Sequence, residues 1–161
     1  MMTRRLAIAL STGLLLAGGA AMTARAADDA ALKAAVASAD RAADNVARDG
    51  ARHPYETLKF WGLKPGLTVI EVSPGGGYWT EILAPYAKAT GGTYVATAAD
   101  LNNPKISDGA RKSRADFEAK FSDAGKYGAI QYVGFGPVSG PLGAAGSADI
   151  VITARNIHNF M

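Results

Sequence analysis

The stretch that decides the fold of this chain is Val69-Ile70-Glu71-Val72-Ser73-Pro74-Gly75-Gly76-Gly77-Tyr78. Its first residues belong to an apolar run that predicts a short buried strand. Three consecutive glycines follow, and such a turn lets the backbone bend sharply and lets a ligand approach closely. The residues after the turn predict a helix, whose first N–H groups attract anionic or polar groups. The stretch therefore predicts a strand, a ligand-binding loop and a helix in succession.

Strands and helices alternate through the rest of the chain. The apolar runs predict four strands, β1 to β4, over Leu67–Val72, Thr93–Ala98, Ala129–Phe135 and Asp149–Thr153. The intervening patterns predict helices over Tyr78–Lys88 and Gly109–Asp123, the first kinked or shortened by Pro85. Strands that alternate with helices indicate an α/β domain with a parallel sheet.

The segment before the sheet is rich in alanine and predicts helices. One or two helices are expected between Asp28 and Ala51, ending at Gly50, with Arg41 and Asp49 on a solvated face. His53-Pro54 predicts an extended step. A short helix is then expected over Tyr55–Gly62, with Leu58, Phe60 and Trp61 turned inward.

The first 26 residues have the three parts of a secretion signal. Arg4 and Arg5 form a basic start, Leu6 to Met22 is an uncharged apolar run, and Ala24-Arg25-Ala26 is a signal-peptidase site. We therefore expect cleavage after Ala26, no stable membrane anchor afterwards, and a periplasmic or secreted protein. Residues 27–62 then form an N-terminal helical segment.

Composition excludes several kinds of partner and site. Without the three arginines of the leader, the 17 basic residues fall to 14 and match the 14 acidic residues, so the charge indicates no nucleic-acid partner. The chain has no cysteine and only two histidines, which excludes disulfides, a cysteine nucleophile and a histidine-rich metal site. We expect no metal.

Glu71 is an acid at the very end of a buried strand, which is costly unless something pairs with it. A ligand that carries a cation or hydroxyl groups would pair with it, and so would Arg48 or Arg52 in a purely structural role. The fingerprint for nicotinamide dinucleotides fits less well. It places its acid about 20 residues further on and needs a third glycine where Thr80 stands.

Glu71, Gly75 and Gly77 match the first motif of the class I S-adenosylmethionine-dependent methyltransferase family, and the chain resembles that family. Ser73 stands where the motif usually has its first glycine. Lys64-Pro65-Gly66, Asp149–Ile152 and Asn156–Asn159 are similar to family segments around the first and fourth strands. With Arg48-Asp49, Arg52 and Pro54, the chain more closely resembles a group of predicted exported bacterial methyltransferases.

The resemblance implies a fold, a cofactor and a set of residues. The family has a Rossmann-like, doubly wound parallel sheet with the strand order 3-2-1-4-5-7-6. Residues 63–161 would form only the first half of this sheet, with the strand order 3-2-1-4. β4 would be an exposed edge, and the chain is expected to be truncated. The residues that would bind S-adenosylmethionine are Glu71, Ser73, Gly75, Gly77 and Asp100, the last of which follows β2. The candidates for catalysis are Asn156 and His158.

Three functions remain open at this point. The resemblance implies the cofactor-binding part of a methyltransferase, with an acceptor that the sequence does not identify. The predicted export signal favours a non-catalytic exported binding or scaffold domain, because S-adenosylmethionine is made in the cytosol. An oxidoreductase linked to a nicotinamide dinucleotide is the third.

Overall fold

The structure, a computed structural model, describes residues 30–159. The predicted export signal over residues 1–26 lies outside the described residues. Among the described helices, none is both long enough and apolar enough to cross a membrane.

Four parallel strands form one sheet. They are β1 (Thr68–Glu71), β2 (Thr93–Ala99), β3 (Gln131–Phe135) and β4 (Ile150–Ile152). Their order is β3-β2-β1-β4, as predicted. The chain runs outward from β1 to β3 and then crosses back to β4, so the strand order reverses between β1 and β4. The described residues thus form an α/β, Rossmann-like half-sheet, and ligands in such sheets bind at this switch point.

Helices precede the sheet and connect its strands. Before β1 lie α1 (residues 30–36), α2 (Ala43–Val46), α3 (Asp49–Arg52) and α4 (Pro54–Phe60). Helix α5 (Thr80–Thr90) connects β1 to β2, whereas α6 (Asp108–Lys120) and α7 (Ala124–Tyr127) connect β2 to β3. A short 3-10 helix (Ile157–Asn159) follows β4.

The N-terminal helices differ from the prediction in detail. Gly50 lies inside α3 and ends no helix, and His53 adopts a left-handed conformation with φ 44° rather than an extended one. Leu58 is buried as expected, but Phe60 is 88 % exposed. Residues two apart lie on nearly opposite sides of a helix, so the side of α4 that buries Leu58 turns Phe60 to solvent.

Helix α5 runs through Pro85 without being shortened and ends at Thr90. Proline removes one backbone hydrogen bond and is expected to cost about 3 kcal/mol inside a helix. The neighbouring residues Ile82, Leu83, Tyr86 and Ala87 are all buried, and their packing stabilises the helix against that cost.

Alternating side chains of the strands build a core on each face of the sheet. Val69 and Ala96 pack with Ile82 and Leu83 of α5 on one face. On the opposite face, Ile70, Val72 and Val95 form a smaller cluster, covered by residues of the β3–β4 connection. Helix α5 thus fixes the glycine-rich turn directly above the carboxyl end of β1.

Candidate functional site

The glycine-rich loop, residues 73–77, leaves β1 at the switch point and leads into α5. Three of its residues, Ser73, Gly75 and Gly77, have φ values of 55°, 58° and 85°. Two hydrogen bonds hold Ser73: its N–H donates to Thr97 Oγ1 at 2.8 Å, and its carbonyl accepts from Asn156 Nδ2 at 3.0 Å. The loop is therefore tied to β2 on one side and to the segment after β4 on the other.

Gly75 and Gly77 serve different purposes in this loop. A Cβ added at Gly77 would lie 2.3 Å from Cζ of Phe121, so this glycine is needed for the ring that follows α6 to pack against the loop. A Cβ at Gly75 would meet no atom within 4 Å. Gly75 and Gly76 thus both border open space, but only Gly75 borders both cavities, so a side chain there would compete with a ligand in either one.

Glu71 is paired with hydroxyl groups of the protein itself. Its Oε2 accepts hydrogen bonds from Thr80 Oγ1 at 3.1 Å and from the Tyr94 hydroxyl at 2.5 Å. Its side chain is almost fully buried, and this burial raises the pKa of Glu71 from its ordinary value of 4.5 to about 7. The alternative pairing with Arg48 or Arg52 is wrong, because the carboxyl group bonds to Thr80 and Tyr94 and makes no ion pair within residues 30–159.

A first cavity, here called the β2-side cavity, lies between the loop, the end of β2 and α6. It has a volume of about 380 Å³, which is within the range of small-molecule sites. Apolar and small side chains dominate its wall, which is made by Ser73, Pro74, Gly75, Thr97, Ala98, Ala99, Ala110, Ser113, Arg114, Phe117 and Phe135. Such a wall suits the flat, largely apolar face of an aromatic base.

A second cavity, here called the arginine cavity, lies on the other side of the loop and has a volume of about 320 Å³. Its wall is polar and is made by Arg48, Arg52, Glu71, Ser73, Pro74, Gly75, Gly76, Tyr78, Trp79, Ala154, Arg155 and Asn156. Ser73, Pro74 and Gly75 border both cavities, so the two spaces flank one short piece of backbone.

The N-terminal helices reach this second cavity through a network that the sequence analysis missed. Arg41 donates two hydrogen bonds to Asp49, at 2.7 and 2.8 Å, and the Tyr78 hydroxyl donates to Asp49 at 2.7 Å. The prediction that Arg41 lies on a solvated face is wrong, since it is only 5 % exposed. The hydrogen bonds from Arg41 hold the pKa of Asp49 below its usual value.

Asp100 follows directly after β2, which extends one residue beyond its predicted end. Its Oδ2 accepts a hydrogen bond from Ser139 Oγ at 2.7 Å, and its Oδ1 accepts from the Asn102 N–H at 2.9 Å. The hydrogen bond from Ser139 lowers the pKa of Asp100. The carboxylate packs against Gly134, where a Cβ would come within 2.8 Å of it. Asp100 follows Ala99, which lines the β2-side cavity, but is not itself part of the cavity wall.

The two candidates for catalysis occupy different positions. Asn156 lines the arginine cavity and bonds to the loop through Ser73. His158 lies in the 3-10 helix, is exposed, and lines neither of the two cavities. Of the predicted site residues, the structure therefore gathers Glu71, Ser73, Gly75 and Asn156 around one space. In the part of the chain that the structure describes, no group of three or more histidine or acidic residues is arranged to hold a metal ion.

The chain matches no known protein-family model, no curated protein and no solved structure.

Proposed function

We propose that this chain binds S-adenosylmethionine around the glycine-rich loop and forms the cofactor-binding part of a methyltransferase. The observation that carries the proposal is the pair of cavities that flank Ser73, Pro74 and Gly75. Their chemistry matches the two halves of the cofactor. The less polar space suits a nucleoside, and the polar space suits the charged amino-acid part.

The residues around the loop fit a bound cofactor in three respects. The left-handed backbone at Gly75 leaves open space where the ligand would approach. Asp100 follows Ala99 of the β2-side cavity wall, and its carboxylate would accept hydrogen bonds from ribose hydroxyls in addition to those from Ser139 and the Asn102 N–H. Asn156 and Ser73 join the segment after β4 to the loop, so that segment is positioned beside the cofactor site.

Methyl transfer asks little chemistry of the protein. The sulfonium of the cofactor supplies the reactive methyl group when it is bound, and the chain's own residues bind, orient and exclude water. Ser73 and Asn156 would hold the loop geometry, and Phe117 and Phe135 would cover the nucleoside.

The test is a calorimetric titration with S-adenosylhomocysteine, which lacks the reactive methyl group. Gly75→Val should abolish binding, because the side chain would occupy space that both cavities share. Gly91→Val is the matched control. Gly91 also has a positive φ, 71°, with no atom within 4 Å of an added Cβ, but it caps the far end of α5. Equal binding by wild type and Gly75→Val would refute the assignment of the loop.

The predicted export signal over residues 1–26 favours a second candidate, a non-catalytic exported binding or scaffold domain. The same titration separates the two. A folded wild-type chain that shows no heat of binding with S-adenosylhomocysteine supports the second candidate.

A further inference from the structure

The arginine cavity carries more positive charge than its neighbours neutralise. Arg48, Arg52 and Arg155 line it, and among residues 30–159 no carboxylate oxygen lies within 4 Å of their side-chain nitrogens. The acid nearest in the network, Asp49, is already held by Arg41 and Tyr78.

The other acid of the cavity, Glu71, is also engaged elsewhere. Its carboxyl group accepts the hydrogen bonds of Thr80 and Tyr94, and burial favours its neutral form. It therefore offsets little of the arginines' charge. Burial lowers the pKa of Arg52, and the positive charges of Arg48 and Arg155 lower it further. The three cations therefore repel one another.

Tyr78 positions two of the three arginines. The guanidinium carbon of Arg52 lies 4.1 Å from the centre of the Tyr78 ring, and that of Arg48 lies 5.4 Å from it. Arg48 also donates a hydrogen bond to Asn45 at 3.3 Å. A guanidinium held over an aromatic ring loses little freedom when it binds an anion, and its planar fork matches a carboxylate or phosphate.

The remaining walls of the cavity point to a ligand as well. Arg155 and Ser73, on two sides of the cavity, both have left-handed backbone, with φ values of 62° and 55°. Such conformations cost a non-glycine residue roughly 1 kcal/mol and gather at functional sites.

We propose that the arginine cavity binds an oxyanion, a carboxylate or phosphate group, that belongs to the methyl acceptor. The carboxylate of the cofactor would occupy one guanidinium in a bidentate pair, so three guanidiniums leave room for a second anion. The acceptor is then an acidic small molecule. That the oxyanion belongs to a methyl acceptor rests on the proposed function, whereas the oxyanion site itself does not.

The experiment is a calorimetric titration of the purified chain with pyrophosphate at low salt, with and without saturating S-adenosylhomocysteine. We expect one site that persists when S-adenosylhomocysteine is present. Arg52→Gln and Arg155→Gln should each weaken it at least about ten-fold, because each removes a charge-assisted hydrogen-bonding group. Arg111→Gln is the matched control, since Arg111 is exposed on α6 and lines neither cavity.

The outcomes separate the two proposals. Pyrophosphate binding that neither arginine change weakens overturns the oxyanion site. Displacement of pyrophosphate by S-adenosylhomocysteine also overturns the inference, because the arginines then hold the cofactor's own carboxylate. If S-adenosylhomocysteine fails to bind while pyrophosphate binding still depends on the arginines, the oxyanion site stands and the methyltransferase proposal fails. Thermal unfolding shows whether each variant is folded. If Arg52→Gln does not fold, the binding result for Arg155→Gln, a change at an exposed position, tests the oxyanion site by itself.

Discussion

At the scale of single residues, Glu71 is the most informative position. The sequence predicts correctly that an acid ends the first strand and that it needs a partner. The structure supplies that partner from within the protein, as the hydroxyls of Thr80 and Tyr94. Both partners come from elements that β1 meets only after folding, the first turn of α5 and the second residue of β2.

We expect Glu71 to make the stability of the protein depend on pH. Because its pKa rises from 4.5 to about 7 on folding, the folded state holds the proton more tightly than the unfolded state. The contribution of Glu71 to stability should therefore be greatest below about pH 4.5 and be lost as the pH rises to about 7, by about 3 kcal/mol in all. Denaturant unfolding at several pH values measures this dependence.

Glu71→Gln is the control for this prediction, since glutamine keeps the shape of the acid but does not titrate. The difference in unfolding free energy between variant and wild type should change across that pH interval and be constant above it. A difference that does not vary with pH would show that folding leaves the pKa of Glu71 at its ordinary value.

At the scale of elements, the contact between the N-terminal helices and the sheet matters most. The side chain of Arg41 is 1 % exposed and joins three places: the carbonyl of Val36 at the end of α1, Asp49 of α3 and, through Asp49, Tyr78 beside the loop. Glu81 of α5 adds a second link, because it accepts a hydrogen bond from the Ala42 N–H. The helical segment is thereby part of the cavity wall.

We expect Asp49→Asn to loosen this contact. The change leaves the buried guanidinium of Arg41 without its partner charge, and breaking such a pair costs about 3 kcal/mol. The unfolding free energy should fall by that amount, and pyrophosphate binding should weaken because Tyr78 and its arginines lose their anchor. Chemical denaturation and the calorimetric titration measure the two effects.

Asp116→Asn is the matched control for this prediction. Asp116 pairs with Lys112 at 2.7 Å, but both side chains are largely exposed on α6, so little stability should be lost. If the two variants lose the same unfolding free energy, the burial of Arg41 does not make its ion pair with Asp49 more important for stability than an exposed pair.

At the scale of the whole molecule, β4 is the edge of the sheet in the described residues. It pairs with β1 on one side, and Val151 is 58 % exposed whereas Ile152 is buried. The strand has no lysine or proline, the residues that commonly protect such edges from pairing with other chains. The expectation of an exposed apolar edge is therefore confirmed for residues 30–159.

We expect Val151→Lys to reduce association of the protein without reducing its stability. A charge at this exposed position disfavours edge-to-edge pairing and displaces no buried atom. Light scattering at increasing concentration should show less aggregate than wild type, at an unchanged midpoint of thermal unfolding. The neighbouring change Ile152→Lys should instead unfold the protein, since Ile152 is 4 % exposed. If Val151→Lys aggregates as much as the wild type, the surface through which the protein associates lies elsewhere than at β4.

The sequence by itself determined the alternation of strands and helices, the glycine-rich loop and the position of Glu71. These features are local, because hydrophobic periodicity and glycine content act within a few residues of the chain. Errors occurred where packing overrides such local signals: α3 contains Gly50, and Phe60 faces solvent. The strand order came from the family resemblance, and the sheet confirms it.

Only the tertiary structure decided how the loop is surrounded. Arg48 and Arg52 come from before the sheet and Arg155 from after β4, and no pattern along the chain joins them. They meet because the parallel strands bring their carboxyl ends to one edge, while Arg41 and Asp49 draw the N-terminal helices onto that same edge. A charge cluster of this kind depends on distances in space, which a one-dimensional pattern does not contain.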